Sequence, residues 1–247
     1  GILRGTTSGD LPAKRFVYCI ENHDQAANRA FGRRLSYVVG VELHRAWSAV
    51  LLLLPFTPMI FMGQEFAAST SFYYFTDHHP ELGKLIREGR FSEFAAHEST
   101  QERERRFPDP QDPRIFEESR LRLEERDALA GAGMLLLHTE LLQLRTMDAV
   151  LRRQDREQMR AYAASETLLV VHMWHGREHR LIAGNFGIAI DAPTATANVP
   201  EQLRGLAWMA VLSTDEPRFG GGGGTARFDA EMISLPPNTV AWFTATA

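Results

Sequence analysis

The sequence predicts a chain in two parts: the C-terminal part of a (β/α)8 barrel, followed by an antiparallel β-sandwich domain. An apolar, β-forming run at Phe16–Ile20 leads through a helical stretch to a second run at Pro58–Met62. This strand, helix and strand order is the repeat of a parallel α/β barrel. After about residue 147, short β-forming runs alternate with Gly, Pro and Asn turns, as antiparallel strands do. We expect residues 1–146 to hold the last two strand–helix units and residues 147–247 to form the sandwich.

The composition is that of an ordinary globular protein without a strong charge. The chain has 247 residues, 44% hydrophobic and 23% charged, with a net charge of -4. A net charge this small creates no strong overall field that would favour nucleic acid or an anionic membrane, so a neutral or small polar substrate is expected. The single cysteine, Cys19, excludes an internal disulfide and suits a reducing cytoplasm. We therefore predict a cytoplasmic protein.

Neither a membrane span nor a secretion signal is recognisable. The most hydrophobic run, Ala46–Phe56, is well short of the roughly 20 apolar residues of a membrane helix. Gly1–Asp10 lacks a basic start followed by an apolar core. We expect no membrane partner, and we expect the chain to be a piece of a longer enzyme.

The barrel part divides at its prolines and glycines. Phe16–Ile20 is predicted to be a strand covered on both faces. Polar Gln25–Leu35 is predicted to be a loop, and the helical spacing of apolar residues predicts one helix over Ser36–Leu54, stopped by Pro55. The next strand is followed by a long loop excursion at about residues 65–125.

Within the excursion and after it, proline, glycine and leucine patterns predict further elements. Pro80 should open a short helix that stops at Gly89. An extended stretch is predicted at three prolines, Pro108, Pro110 and Pro113. Asp127 should cap the final barrel helix, despite two weakening glycines, Gly131 and Gly133. One face of this helix is predicted to consist of Leu129, Leu136, Leu137, Leu141 and Leu144.

Six β-forming runs predict six to eight antiparallel strands in the second part. The runs are Gln158–Ala164, Thr167–Trp174, His179–Phe186, Leu206–Leu212, Phe228–Leu235 and Thr239–Thr244. Gly220–Gly224 is interpreted as a flexible hairpin tip. The tryptophans of the runs fall within strand patterns, which favours a core position and a structural role for this domain.

The tripeptide Asn22-His23-Asp24 predicts a catalytic carboxylate, because reactive groups of such barrels lie where the strands finish. Asp24 could hydrogen-bond sugar hydroxyls and stabilise positive charge at an anomeric carbon, and His23 supplies a second polar contact. Taken alone, the tripeptide also fits an Asp that caps a loop with His23 packed beneath it.

The sequence predicts no metal site and no cofactor. His172, His175 and His179 are close in sequence, but positions 172 and 175 point to opposite faces of a strand. No ligand-type acid or cysteine cluster joins them.

The motifs resemble the α-amylase clan of glycoside hydrolases, and within it a branch that releases trehalose. The matching segments are Phe16–Gln25, Asn28-Arg29-Ala30, Pro55–Phe66, Phe75–His78, Pro80-Glu81-Leu82, and Arg87–Arg90 before Glu93-Phe94. The Asn-His-Asp element is general to the clan. Gln25 with Asn28 and Arg29, together with Phe75-Thr76-Asp77-His78, points to the trehalose-releasing branch. The resemblance covers roughly residues 16–144.

This resemblance implies a retaining double displacement at the α-1,4 bond next to the terminal trehalose unit of maltooligosyl trehalose or a related α-glucan. Asp24 corresponds to the transition-state stabiliser, and His23 to a sugar contact in the cleavage subsite. Further implied substrate-binding residues are Asn22, Gln25, Asn28, Arg29, Glu65, Asp77 and His78. The nucleophile and the proton donor would lie on earlier strands. The missing N-terminal part of the enzyme is therefore the expected partner, and the isolated chain is expected to be inactive.

Two alternative interpretations remain open at this point. The same clan includes α-glucan branching and debranching enzymes, which differ in the loop from Gln64 to Asp112. The β-rich part could instead be a carbohydrate-binding or purely structural module. Phe72-Tyr73-Tyr74-Phe75 offers either stacking surfaces for sugars or core aromatics.

Overall fold

The structure is a computed structural model that describes residues 8–29, 31–95, 108–197 and 199–247. Three residues of the segments that resemble the α-amylase clan are wholly or partly left out of these ranges. Ala30 and the side chains of Glu93 and Phe94 lie outside the described residues.

Two short parallel strands form the first sheet. β1 (Val17–Tyr18) pairs with β2 (Thr57–Pro58), with Val17 opposite Thr57. The amide of Met59 donates to the Tyr18 carbonyl at 2.8 Å. The parallel strand–helix–strand order is therefore confirmed, while the barrel that it would belong to stays a prediction.

Both strands are shorter than the sequence predicted, and the first is also more exposed. Val17 is 62% exposed, so the expectation of a strand covered on both faces is wrong. In the described part of the chain no third strand joins this sheet, and a two-residue pair buries little by itself.

The connection between the strands begins as a helix where a loop was predicted. α1 (His23–Ala27) occupies part of the predicted loop Gln25–Leu35. α1 begins here because of a local N-cap: the side-chain oxygen of Asn22 accepts a hydrogen bond from the Gln25 amide at 2.8 Å.

The helical stretch that follows is divided in two. α2 (Leu35–Val39) and α3 (Val41–Leu53) replace the single predicted helix over residues 36–54. Gly40 separates them with φ 87 and ψ 154, a conformation that no helix accommodates and that glycine adopts without a Cβ clash.

The excursion after β2 is more helical than predicted. It holds a 3-10 turn (Gln64–Phe66), α4 (Pro80–Ala95), α5 (Pro113–Glu118) and a second 3-10 segment (Leu123–Asp127). α4 continues past Gly89, so the predicted stop is wrong. Pro113 opens α5 behind the cap residue Asp112, which corrects the predicted extended stretch.

The final helix of the first part, α6, spans Leu129–Met147, and Ala128 rather than Asp127 stands at its N-cap. Its leucines divide between environments: Leu137 is fully buried, whereas Leu129 is 93% exposed. The five predicted leucines therefore do not share one buried face. Gly131 allows close packing, because a Cβ there would lie 2.0 Å from the Glu125 carbonyl oxygen.

Eight antiparallel strands follow, within the predicted range. They are β3 (Met159–Ala163), β4 (Leu168–His175), β5 (Glu178–Asn185), β6 (Ile190–Pro193), β7 (Met209–Ser213), β8 (Arg227–Phe228), β9 (Met232–Leu235) and β10 (Thr239–Thr246). A helical turn, α7 (Glu201–Arg204), precedes β7. The five-stranded sheet has the order β3-β4-β5-β10-β7, and the three-stranded sheet has the order β6-β9-β8. The sequence missed β6 and merged β8 with β9, which the Asp229 turn separates.

Two hydrophobic cores hold the chain together. One lies between the two antiparallel sheets and includes Val170, Phe228 and Phe243. The other joins α3 and α6 to the opposite face of the five-stranded sheet, where Leu53 and Trp242 are buried. The predicted boundary between residues 146 and 147 falls at the end of α6, next to this shared core. The division into two domains stays a prediction.

Gly220–Gly224 does not form a hairpin tip. The segment connects the region after β7 to β8, which belong to different sheets. The Asp215 carboxylate accepts hydrogen bonds from the amides of Gly222 and Gly224, each at 2.8 Å. One acidic side chain therefore fixes the glycine-rich loop.

Among the described residues, no helix has the length and apolar character needed to cross a membrane. The cytoplasmic location stays a prediction.

Arg145→Met is expected to lower the free energy of unfolding by about 3 kcal/mol, because buried carbonyls lose their partner. Arg145 donates to the carbonyls of Leu52, Leu54 and Phe56, at the end of α3. Urea unfolding of the variant measures the change, and Arg153→Met, at an exposed position, is the matched control. Equal unfolding midpoints for both variants would contradict this role.

Candidate functional site

Asp24 and Glu65 lie at the same edge of the parallel sheet. Asp24 is in the first turn of α1, after β1, and Glu65 is in the 3-10 turn after β2. The carboxyl ends of parallel strands meet at one edge, where α/β barrels place their chemistry. Asp24 and Glu65 therefore each follow a strand of the parallel pair, as the sequence predicted, while their roles stay predictions.

Asp24 is accessible and stands beside His23. The side chains of His23 and Asp24 are 69% and 73% exposed, with 3.3 Å between His23 Nε2 and Asp24 Oδ1. The alternative of a loop-capping Asp above a packed His23 does not fit this geometry, because both side chains are exposed. The pair can contact a ligand directly.

Glu21 is the buried anchor of this segment, and sequence reasoning missed it. Its side chain is 2% exposed, and Oε1 accepts hydrogen bonds from Arg29 Nη1 at 2.6 Å and from the Leu35 amide. Arg29 Nη1 also donates to the Arg33 carbonyl at 2.7 Å. Arg29, predicted to bind substrate, thus uses one nitrogen to fasten the loop. The available signal was an acid directly after an apolar strand run.

Arg34 connects the loop after β1 to the loop after β2. Its buried guanidinium donates from Nη1 to the Met62 carbonyl at 2.8 Å and from Nε to the Thr70 carbonyl at 2.6 Å. Burial lowers the pKa of Arg34, and the carboxylates of Glu21 and Glu65 oppose that shift. Both acids therefore favour the charged form of the connecting arginine.

Glu65 is half-buried and faces partly inward. Its Oε2 is enclosed, with no hydrogen-bond partner among the described residues. Burial lowers the pKa of His138, and the Glu65 carboxylate opposes that shift. Burial also lowers the pKa of His44, to about 4. Both imidazoles are therefore neutral at pH 7. A cleft-lining role for Glu65 stays a prediction.

α4 packs against the candidate site through Arg90. Its Nη1 donates to Asn28 Oδ1 at 2.7 Å, and its Nη2 donates to the Ala27 carbonyl at 2.8 Å. The guanidinium carbon also lies 4.5 Å from the centre of the Tyr74 ring. Asn28 therefore attaches α4 to the end of α1, while Gln25 remains exposed on α1.

Asp77 and His78 are exposed in the excursion, and Gln111 fixes the backbone around them. Gln111 Nε2 donates to the His78 carbonyl at 2.7 Å, and its Oε1 accepts from the His78 amide at 3.1 Å. Across the described ranges, no hydrogen bond or ion pair joins either residue to Asp24. Sequence reasoning missed Gln111, because its partners are distant in the chain.

The predicted aromatic surface is mainly a packed cluster. The Phe72 ring lies edge-to-face with Phe61 at 5.1 Å and with Phe75 at 5.8 Å between ring centres. Phe75 in turn packs on Phe116 at 5.2 Å. These contacts favour packing over sugar stacking for the phenylalanines.

The described residues contain no group of three metal-ligating side chains. His172 Nε2 lies 2.9 Å from His179 Nδ1, so the two imidazoles share a hydrogen bond. Burial lowers the pKa of His172 to about 4, which keeps that ring neutral at pH 7.

Glu21→Ala is expected to destabilise the chain by about 3 kcal/mol, because the half-buried Arg29 loses its carboxylate partner and the Leu35 amide loses its acceptor. Urea unfolding measures this change. Glu117→Ala, which removes an exposed ion pair with Arg120, is the matched control and should change stability little. If both variants unfold like the unaltered chain, Glu21 is not the anchor.

No protein-family profile matches the chain. Three relatives are each named malto-oligosyltrehalose trehalohydrolase. The Deinococcus radiodurans protein is 42% identical over 184 residues, covering 74% of this chain and 30% of the relative. The Rhizobium sp. (strain M-11) protein is 45% identical, covering 91% and 34%. The Arthrobacter ramosus protein is 41% identical, covering 63% and 27%.

Solved structures of the α-amylase type share the fold. A candidate α-amylase from Salmonella typhimurium matches with a TM-score of 0.76 and 27% identity, covering 98% of this chain and 37% of that one. A trehalose-6-phosphate hydrolase from Bacillus licheniformis has a TM-score of 0.55 and 13% identity, covering 94% and 43%, and supports the fold alone. The chain is thus related to the malto-oligosyltrehalose trehalohydrolases, spanning about a third of their length, and shares its fold with α-amylase-type structures.

Proposed function

We propose that this chain is the C-terminal part of an α-glycosidase that hydrolyses the α-1,4 bond next to the terminal trehalose unit of maltooligosyl trehalose. The observation that carries the proposal is the exposed Asp24 at the carboxyl end of β1, beside the parallel β2. The names of the relatives support the choice of substrate.

The chemistry proposed for Asp24 is electrostatic. Glycoside cleavage passes through an oxocarbenium-like transition state, and a fixed carboxylate next to the anomeric carbon lowers its energy. His23, 3.3 Å away, is suited to donate a hydrogen bond to a sugar hydroxyl while it stays next to the carboxylate. Glu21 and Arg34 are proposed as positioning residues, because Glu21 binds the amide of Leu35 in the loop after α1 and Arg34 binds the carbonyl of Met62 in the loop after β2.

The remaining candidates are proposed to serve two roles. Asn22 and Asn28 shape the site, since one caps α1 and the other attaches α4. Gln25, Asp77 and His78 are exposed and are proposed to contact sugar directly, together with Glu65 and the free nitrogens of Arg29. No cofactor enters this mechanism.

The covalent and proton-transfer steps are assigned to parts of a longer enzyme outside this chain. A retaining glycosidase needs a nucleophilic carboxylate and a general acid on either side of the bond. We infer that both come from preceding barrel strands, so the 247-residue chain alone should release no trehalose.

Asp24→Asn, introduced into a full-length enzyme that contains this sequence, is expected to lower kcat for trehalose release by roughly 10²–10³-fold with little change in KM. The amide keeps the shape of the side chain and loses its charge. The assay uses maltotriosyl trehalose and quantifies free trehalose. Asp127→Asn, an exposed acid outside the site, is the matched control.

Three outcomes would contradict the proposal. Full kcat in Asp24→Asn would remove the carboxylate from the mechanism. Transferred or released glucan branches in place of trehalose would favour a branching or debranching enzyme. Trehalose release by the isolated chain at the rate of an intact homologue would contradict the inference that the nucleophile and the general acid lie outside this chain.

A further inference from the structure

A cavity of about 580 Å³ lies between the start of α2 and the segment that follows the 3-10 turn after β2. Arg33, Tyr37 and Tyr73 are among its lining residues. Of the residues that form or anchor the Asp24 site, only Arg34 also lines the cavity. The cavity is therefore a separate feature with its own chemistry.

Arg33 is held in this cavity by aromatic rings. Its guanidinium carbon lies 4.9 Å from the centre of the Tyr37 ring and 5.7 Å from the centre of the Phe31 ring. Such stacking fixes the plane of the guanidinium. The side chain is thus oriented without an acidic partner.

The guanidinium nitrogens of Arg33 donate no hydrogen bond within the described part of the chain. Its neighbours Arg29 and Arg34 donate to acceptors at 2.6 to 2.8 Å. No described residue accepts a hydrogen bond from the Arg33 side chain or pairs with its charge. A planar fork of donors, held in position and unpaired, is suited to a ligand with two adjacent oxygen atoms.

The rest of the lining offers hydroxyl groups that suit a polyhydroxylated ligand. Ser36, Ser71 and the two tyrosines add hydroxyl groups beside an aromatic face. Ser69, also in the lining, donates from its amide and its hydroxyl to the Glu125 carboxylate. Glu125 does not line the cavity itself, and its negative charge next to Ser69 partly offsets the positive charges of Arg33 and Arg34.

We propose that this cavity is a second glucan-binding site, in which Arg33 donates to two neighbouring hydroxyls of a sugar ring and Tyr37 packs against the ring. The choice of an α-glucan as the ligand rests on the function proposed above. The arrangement of Arg33, the tyrosines and the serines is an observation that does not depend on that function. Such a site holds a distant part of a long glucan while another part reaches the Asp24 edge.

The test is a calorimetric or NMR titration of the 247-residue chain with maltohexaose. Arg33→Lys keeps the charge but loses the planar fork, and it should weaken binding about tenfold. Tyr37→Ala should weaken binding to a similar extent, whereas Tyr37→Phe keeps the ring and should retain most of it. Arg122→Lys, at an exposed position outside the cavity, is the matched control, and circular dichroism verifies the fold of each variant.

The possible outcomes distinguish a failure of this second site from a failure of the proposed function. Loss of maltohexaose binding in Arg33→Lys but not in Asp24→Asn supports the second site. Absent binding, or equal binding by Arg33→Lys and the unaltered chain, overturns it and leaves the Asp24 kinetics as an independent test of the function. Inorganic phosphate bound at Arg33 with no response to maltohexaose would also overturn it, in favour of an anion site.

Discussion

One buried guanidinium connects the two loops on which the candidate site depends. Arg34 starts in the connection after β1 and donates to two carbonyls, Met62 and Thr70, in the chain after β2. The strands themselves pair over only two residues each, so their ladder supplies few hydrogen bonds. The arginine therefore adds the long-range constraint that keeps Asp24 and Glu65 at one edge of the sheet.

The antiparallel sheets provide the support beneath this edge. α3 and α6 bury their apolar residues against the five-stranded sheet, with Leu53, Leu137 and Trp242 fully enclosed. Burial of this size stabilises far more than the short parallel ladder can. Arg145 closes the end of α3 by binding its last carbonyls. The site thus rests on a core formed jointly by both parts of the chain, which sets the position of β2 and the turn that carries Glu65.

Features that follow local or topological rules could be predicted from the sequence alone. The parallel order of the strands, the position of Asp24 after β1 and most of the antiparallel strands followed from periodicity and turn residues, whereas β6 was missed and β8 was merged with β9. The supporting contacts of Arg34 and Gln111 could not be predicted, because their partners are distant in sequence. Glu21 was missed although an acid directly after an apolar strand run was an available signal. Gly131 was interpreted as a weakness in α6, although it allows contact with the preceding 3-10 segment. Strand lengths and helix breaks depend equally on neighbours that a single sequence does not reveal.

The most direct measurement is amide hydrogen exchange at Thr57 and Met59, whose amides donate to the carbonyls of Phe16 and Tyr18. In the unaltered chain both amides should exchange slowly. Arg34→Met should release them, while the amide of Val240, deep in the five-stranded sheet, stays protected. Rapid exchange at Thr57 and Met59 in the unaltered chain, or equal protection in Arg34→Met, would contradict the claim that this arginine holds the two strands together.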